Sequence, residues 1–426
     1  MKKLLVLYLV TASVHGFGQK AEDIINVKEV TRLETTLASD DMRGRKAGTA
    51  DACKAAAFIA EEFKKAGLQP VSNGNYLQQF SMLRSKMKEL KAKFEGADVD
   101  TKNIVVLTAK VNLEADEKSG FAVEYIKAGD NFQRKALELA YSNKNSLVVV
   151  DTSFQKNFSR LAGLKRQLFS SQKDVVFILA NMAPKEFQIK AEHEFSETKF
   201  ANVVGILPGK SRKNELVIFS GHYDHLGIAK TPVGTDSIYN GANDDAAGVT
   251  AVITLANYYK KINNNERTLV FAAFTAEEIG GFGSQYFSRQ FNPADVVAMF
   301  NIEMIGTEAK WGKNSAYITG YEKTDMGKML QQNLKGSDFT FYPDPYTDQD
   351  LFYRSDNATL ARLGVPAHTI STAKMDSEPN YHKLSDEVST LDLDNMAAII
   401  TAIAVSSKTI VSGKEAPSRV KPENLR

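Results

Sequence analysis

From residue 202 onward, two kinds of apolar run alternate along the chain. Short unbroken runs at 202–207, 216–219, 269–274 and 296–302 have the length and composition of buried strands. Between and after them, 249–259 carries apolar residues at helical spacing, a helix starts near 284, and 395–406 reads as a strongly apolar helix. Such alternation predicts an α/β fold, a mixed, mostly parallel central β-sheet flanked by helices. Upstream, 30–70 reads as helical with a break. Residues 31–37 lead into the polar turn Asp40-Asp41-Met42-Arg43-Gly44-Arg45. A second helix then spans 50–66, with Gly67 as its stop. In that turn, Arg43 and Arg45 read as solvated or salt-bridged.

Between about 86 and 199 the texture changes. Lysines are frequent, short β-rich runs stand at 104–107, 147–150 and 175–179, and 132–140 has the pattern of an amphipathic helix. An inserted α/β or β-rich subdomain over 95–198 is therefore expected, dividing a main domain into 19–94 and 199–412. His193 lies in the polar run 190–199 and reads as a surface residue. The polar stretch 413–426, with Pro417 and Pro422, predicts a flexible tail.

Composition narrows the classes. With 43% hydrophobic and 24% charged residues in 426, the chain can bury a large core. A net charge of +2 offers no basic excess, so no nucleic-acid partner is expected. Lys2 and Lys3, the apolar run 4–10 and Gly16-Phe17-Gly18-Gln19 form the pattern of a signal peptide over 1–18. That run is too short to span a bilayer. The expectation is a bacterial protein exported to the periplasm or secreted, with no membrane span after cleavage. Cys53 is the single cysteine, so no internal disulfide contributes to stability.

The candidate chemistry gathers at predicted strand ends. Gly221–Gly248 reads as a strand end, loop and helix start, and it holds His222, Asp224, His225, Asp244 and Asp245. The strand ending at 274 is followed by Glu277 and Glu278, and the one ending at 302 by Glu303. In an open α/β sheet these ends share one edge, where ligands bind. Zinc accepts imidazole nitrogen and carboxylate oxygen, two metals can share a carboxylate, and an unligated carboxylate nearby can move protons. Glu277 and Glu278 suit that division of labour; alone, such a pair is as readily an acidic helix start. His368 and His382 are the only histidines after His225. His368 lies in an apolar run and reads as a satisfied core residue. His382 lies in a polar loop and is the favoured ligand.

Taken in order, Gly221–Gly227 (GHYDHLG), Gly241–Gly248 (GANDDAAG), Phe274–Gly280 (FTAEEIG), Asn301–Gly306 (NIEMIG) and Tyr381–Val388 (YHKLSDEV) resemble the motifs of the M28 family of zinc peptidases. Residues 40–70 also look like that family's N-terminal region. The resemblance covers about 30–85 and 200–410 and implies a zinc-exopeptidase-like fold. It implies two zinc ions per chain, with Co2+ or Mn2+ as substitutes. His222 and Glu303 would bind one metal, Glu278 and His382 the other, and Asp244 both, with a cis peptide often following that aspartate. Glu277 would be the general base and acid, and Asp224 would orient His222 through its second ring nitrogen. His225 and Asp245 would shape the loop. The family more often has Asp where Glu303 stands, and Glu reaches one methylene further. Ser355-Asp356-Asn357 departs from the usual Ser-Asp-His, and Tyr346, Phe352 and Tyr353 either line a pocket or pack. The insert stands where some relatives carry a protease-associated domain. Peptide substrates and aminopeptidase chemistry are the implied function. A carboxypeptidase or dipeptidase, a glutaminyl cyclase and a non-catalytic binding protein are the alternatives.

Overall fold

Four parallel strands carry the centre of this computed structural model, which describes residues 21–72 and 74–425; the expected signal peptide lies outside the described residues. They run in the order Ala367–Ser371, Val296–Ile302, Arg212–His222, Arg267–Phe274. All of Arg267–Phe274 is buried, as expected of a strand covered on both faces. Antiparallel strands flank the block. Phe187–Leu207 pairs with Arg267–Phe274, and Ser315–Ile318 pairs with Ala367–Ser371. Thr340–Pro343 lies outermost beside Ser315–Ile318. The architecture is mixed α/β, with a mostly parallel centre.

Period-two alternation sorts the central strands between two cores. Val217, Phe219, Leu269, Phe271, Ala298 and Phe300 point to one face, under helices Val27–Leu37, Ala50–Lys65, Ala247–Ile262 and Leu393–Ser406. Ile218, Val270, Ala272 and Met299 point to the other, under Phe282–Ser288 and Asn357–Ala361. Phe219 stacks between Phe271 and Phe300, at centroid distances of 5.6 and 4.9 Å. Helix Leu393–Ser406 starts where Asp392 accepts the Asn395 N–H. Helix Ala247–Ile262 stops at Asn263, which takes the left-handed conformation common there.

Leu77–Phe94 and Phe187–Leu207 form a long antiparallel ribbon, from Leu77 opposite Val203 to Phe94 opposite Phe187, with one register shift between Glu192 and His193. Beside it a second sheet orders Ile104–Leu107, Val175–Leu179, Ser146–Val150 and Ala122–Ile126. Ala92, Phe187, Ile189 and Ala191 of the ribbon share that sheet's core. The first ribbon strand ends at Phe94, and the second runs unbroken to Leu207.

Two expectations are corrected here. Residues 190–199 are strand, and His193 is only 2% exposed. Their polarity hid a period-two pattern in which Phe187, Ile189, Ala191 and His193 face inward between exposed neighbours. The tail 413–426 is not loose along its described part. Val420 and Leu425 are buried in the second core, and Arg419 donates to the Val296 and Pro293 carbonyls. Among the described residues, no helix is long and apolar enough to cross a membrane.

Candidate metal centre

The C-terminal ends of the parallel strands deliver the acidic and imidazole groups to one edge. His222 ends its strand, Glu277 and Glu278 follow Phe274 within four residues, and Glu303 follows Ile302 directly. Asp244 comes from the turn before helix Ala247–Ile262, and His382 from the loop after Ala367–Ser371. Local backbone geometry helps to aim them. Ala276, Met304 and His382 hold left-handed φ values of 60, 53 and 57°. Such φ values are costly for side-chain-bearing residues and are often found at functional sites. Gly248 lets the helix start close against the strand edge, since a Cβ there would stand 2.2 Å from the Ile302 carbonyl oxygen.

Asp244 stands between two histidines. Its Oδ1 is 3.2 Å from His222 Nε2, and its Oδ2 is 3.2 Å from His382 Nε2. His382 Nε2 is also 3.1 Å from Glu278 Oε2. The donor atoms of His222, Asp244 and Glu303 lie within 4.8 Å of one another, as do those of His225, Asp244 and Glu278. All five residues expected as ligands therefore meet around Asp244, and the Asp244–Asp245 peptide is cis.

The donor set fits a divalent cation. His222 Nδ1 lies 3.1 Å from the Asp224 backbone carbonyl, which only accepts, so Nδ1 carries the hydrogen. In the neutral ring, Nε2 then points a lone pair at a carboxylate 3.2 Å away. Only a proton or a metal between them makes that arrangement favourable. His222 Nε2 and His225 Nε2 are both buried without a hydrogen-bond partner. Burial alone would lower the His222 pKa, yet Asp244, Glu277 and Asp245 hold it well above its ordinary value. Burial, Asp244 and Asp356 push Glu303 up to about 7. Burial also drives Glu277 well above the carboxylate range, reinforced by Glu303, Asp356 and Asp224 against the opposing pull of His222. So many carboxyl groups facing one another lack positive charge, which bound cations supply.

Several neighbours hold the set in place. Asp245 accepts from the backbone N–H groups of His222, Gly248 and Met304, at 3.1, 3.0 and 3.1 Å, and so ties two strand ends to the helix start. His225 Nδ1 is 2.7 Å from Glu278 Oε1, leaving Oε2 toward His382. Asp224 differs from the expectation. Its carboxylate is 3.9 Å from His222 Nδ1, the nearer acceptor being its own backbone carbonyl, and its Oδ1 instead accepts from the Glu277 N–H at 3.1 Å. Asp224 thus links the His222 loop to the start of the Glu277–Glu278 segment.

Some residues escaped the sequence reading. Arg45, read as a solvated or salt-bridged turn, is fully buried and donates to the carbonyls of Tyr223, Leu37, Asn240 and Gly241. Arg43 does form an exposed ion pair, with Asp51 at 3.4 Å. Asp386 accepts from the N–H groups of Asn243 and Asp244, at 2.8 and 3.0 Å, and fixes the central aspartate's backbone. Ser355 hydrogen-bonds the Glu303 carboxylate and receives Asn301 Nδ2 at 2.7 Å. Asn357 is buried, bonded to Phe352, Ala367 and Thr369 rather than facing the centre. The motifs containing Asp386 and Ser355 were visible in the sequence; nothing there marked Arg45 as buried. His368 is the satisfied core residue expected, between Thr319 and Thr324.

Comparison with known proteins now decides the family. Residues 202–406 match the family-wide sequence model of Peptidase family M28. This stretch belongs to peptidase family M28. A Trichophyton verrucosum protein named probable leucine aminopeptidase is 28% identical to the chain over 216 residues, 49% of this chain and 56% of that protein. Aminopeptidase YwaD of Bacillus subtilis is 25% identical over 225 residues, 51% of this chain and 42% of its own. The chain spans about half the length of the curated relatives it matches. In three dimensions it resembles a zinc aminopeptidase from Bacillus subtilis at a TM-score of 0.54 and 16% identity, covering 94% of this chain and 97% of that one. An aminopeptidase from Aneurinibacillus sp. strain AM-1 aligns at 0.52 and 16%, over 95% and 97%. These structural likenesses show the fold alone.

Proposed function

We propose that the chain is an exported zinc-dependent aminopeptidase, with residues 95–198 as an inserted subdomain. The observation that carries this reading is Asp244, each of whose oxygens faces a different histidine. That geometry suits a carboxylate shared by two metals, with His222 and Glu303 on one side and Glu278 and His382 on the other. The relatives named aminopeptidases support the substrate class. His225 orients Glu278 in this reading, because its Nδ1 is engaged by that carboxylate.

Two zinc ions in such a site would polarise the scissile carbonyl and acidify water. The protein groups do the rest. Glu277 takes the proton from the attacking water and returns it to the departing amine. Asp224, through the Glu277 N–H, sets where that carboxyl begins. Ser355 holds the longer Glu303 side chain toward Asp244, which compensates for its extra methylene. Beside Glu303, a pocket lined by Met304, Tyr317, Leu351, Met375 and Tyr381 would receive the substrate's terminal side chain.

Peptides with free or blocked N-termini, followed by mass spectrometry, test the assignment. Stepwise loss of N-terminal residues from free peptides alone is expected. Release from the C-terminus, or cyclisation of N-terminal glutamine without hydrolysis, would overturn it.

A further inference from the structure

Away from the metal centre, the long ribbon and the 3-10 segment Ser159–Arg166 border an open pocket of about 530 Å³. Its wall carries Arg84, Lys86, Lys165 and Arg166 against a single acid, Glu194. Glu194 is already engaged by Lys88 at 2.6 Å. Among the described residues, none of the four cations has a side-chain hydrogen bond or ion pair. Lys165 is the costliest of them, because burial lowers its pKa and no carboxylate offsets the loss of water.

The polar groups around it are also unmatched. Ser85 lines the cavity, and its Oγ is buried with no partner. Ser85 lies opposite Phe195 in the ribbon, and His193 shares the face of Phe195, with the two rings stacked at 5.9 Å. Both ring nitrogens of His193 are buried and unpartnered. Lys165 is near enough to lower its pKa further, beyond the larger effect of burial. Buried polar groups without partners are exceptions in folded proteins. Here they cluster with uncompensated positive charge.

We propose that this cavity is a binding site for a small, multiply charged phosphate-type anion, held by Lys165, Arg166, Arg84 and Lys86 with Ser85 Oγ as a hydrogen-bond donor. Arginine forks and lysine ammonium groups both complement phosphate oxygens. Several cations around one cavity favour a ligand with several negative charges over a lone carboxylate. The site shares no lining residue with the pocket beside Glu303, so it stands independently of the peptidase reading. The phosphate group belongs either to a soluble phosphorylated compound or to a lipid headgroup.

Calorimetric titration of the full chain with pyrophosphate tests the site. Saturable binding is expected, weakened at least about tenfold in Lys165→Met/Arg166→Gln and unchanged in Lys118→Met/Lys127→Gln, which removes equal charge elsewhere in the insert. Arg166→Gln alone, at an exposed side chain, is expected to weaken binding about threefold, so the test does not depend on the double variant folding. A parallel arm uses vesicles with and without phosphatidic acid. Site-dependent binding to pyrophosphate points to a soluble ligand, and site-dependent binding to the acidic vesicles alone points to a headgroup. The proposal is overturned if neither probe binds saturably, if Arg166→Gln binds like the unaltered protein, or if both double variants weaken equally.

Discussion

His222 and His193 are both buried histidines on strands of one sheet, and their surroundings are opposite. His222 lies in a crowd of carboxylates, of which Asp224 and Asp245 accept from backbone N–H groups and Glu303 from a hydroxyl. His193 lies beside unpaired cations, with no partner on either ring nitrogen. The first region has excess negative charge and a dense scaffold, the second excess positive charge and a bare cavity. Burial by itself therefore says little about what a histidine does. The sign and bracing of the charge around it say more.

The contrast is broken most strongly at the metal centre. Glu277→Gln is expected to lower turnover by about 10³-fold, near the usual reach of general acid–base catalysis, while bound metal stays unchanged. Activity assays paired with metal analysis check both halves; metal loss would mean that Glu277 is a ligand instead. Asp244→Asn should release metal and abolish activity together, because it weakens both halves of the site.

Next in size is the scaffold. Arg45→Met leaves the buried carbonyls of Tyr223, Leu37 and Asn240 without their donor, while Gly241 keeps the Ala246 N–H, and a loss of about 4 kcal/mol in urea unfolding is expected. A change under about 1 kcal/mol would show that the loop holds its own shape.

A pH effect follows from His368. Burial lowers its pKa to about 4, against an ordinary value near ~6.5. Between those values the unfolded chain binds a proton that the folded chain does not. This contribution is therefore fully present above about pH 6.5 and is lost as the pH falls toward 4, amounting to about 3 kcal/mol. His368→Gln should flatten that part of the stability profile, measured as urea midpoints against pH. The smallest effect belongs to His193→Phe. With no hydrogen bond to lose, it should change stability by less than about 1 kcal/mol when no anion is present. A large loss would show that the ring nitrogens are engaged after all.

Much of this was legible before any coordinates. Strands such as 296–302 are continuous apolar runs because both faces are covered, and such runs are unambiguous. Of the two long ribbon strands, the sequence shows only the apolar end at 202–207. Their Lys- and Glu-rich outer faces dilute the apolar signal, and a polar run on a two-sided ribbon looks like a loop. Arg45 was misjudged for a related reason. Its partners are backbone carbonyls up to 196 residues away, and carbonyls leave no trace in sequence. Asp224 was assigned to the correct neighbourhood but to the wrong partner, since two residues of separation do not decide which of its oxygens reaches the ring.

The sequence by itself determined which chemistry was available. The two-period and helical-period runs specified an α/β sheet, and the strand-end positions of His222, Glu277, Glu278 and Glu303 followed from that topology alone. Only the tertiary structure decided who faces whom. It set Asp244 between His222 and His382, turned His225 onto Glu278, buried Arg45, and gathered four cations against a single acid, Glu194, around one pocket. The physical reason is range. Periodicity and strand ends are local properties of the chain, whereas charge compensation depends on groups brought within a few ångströms from distant segments.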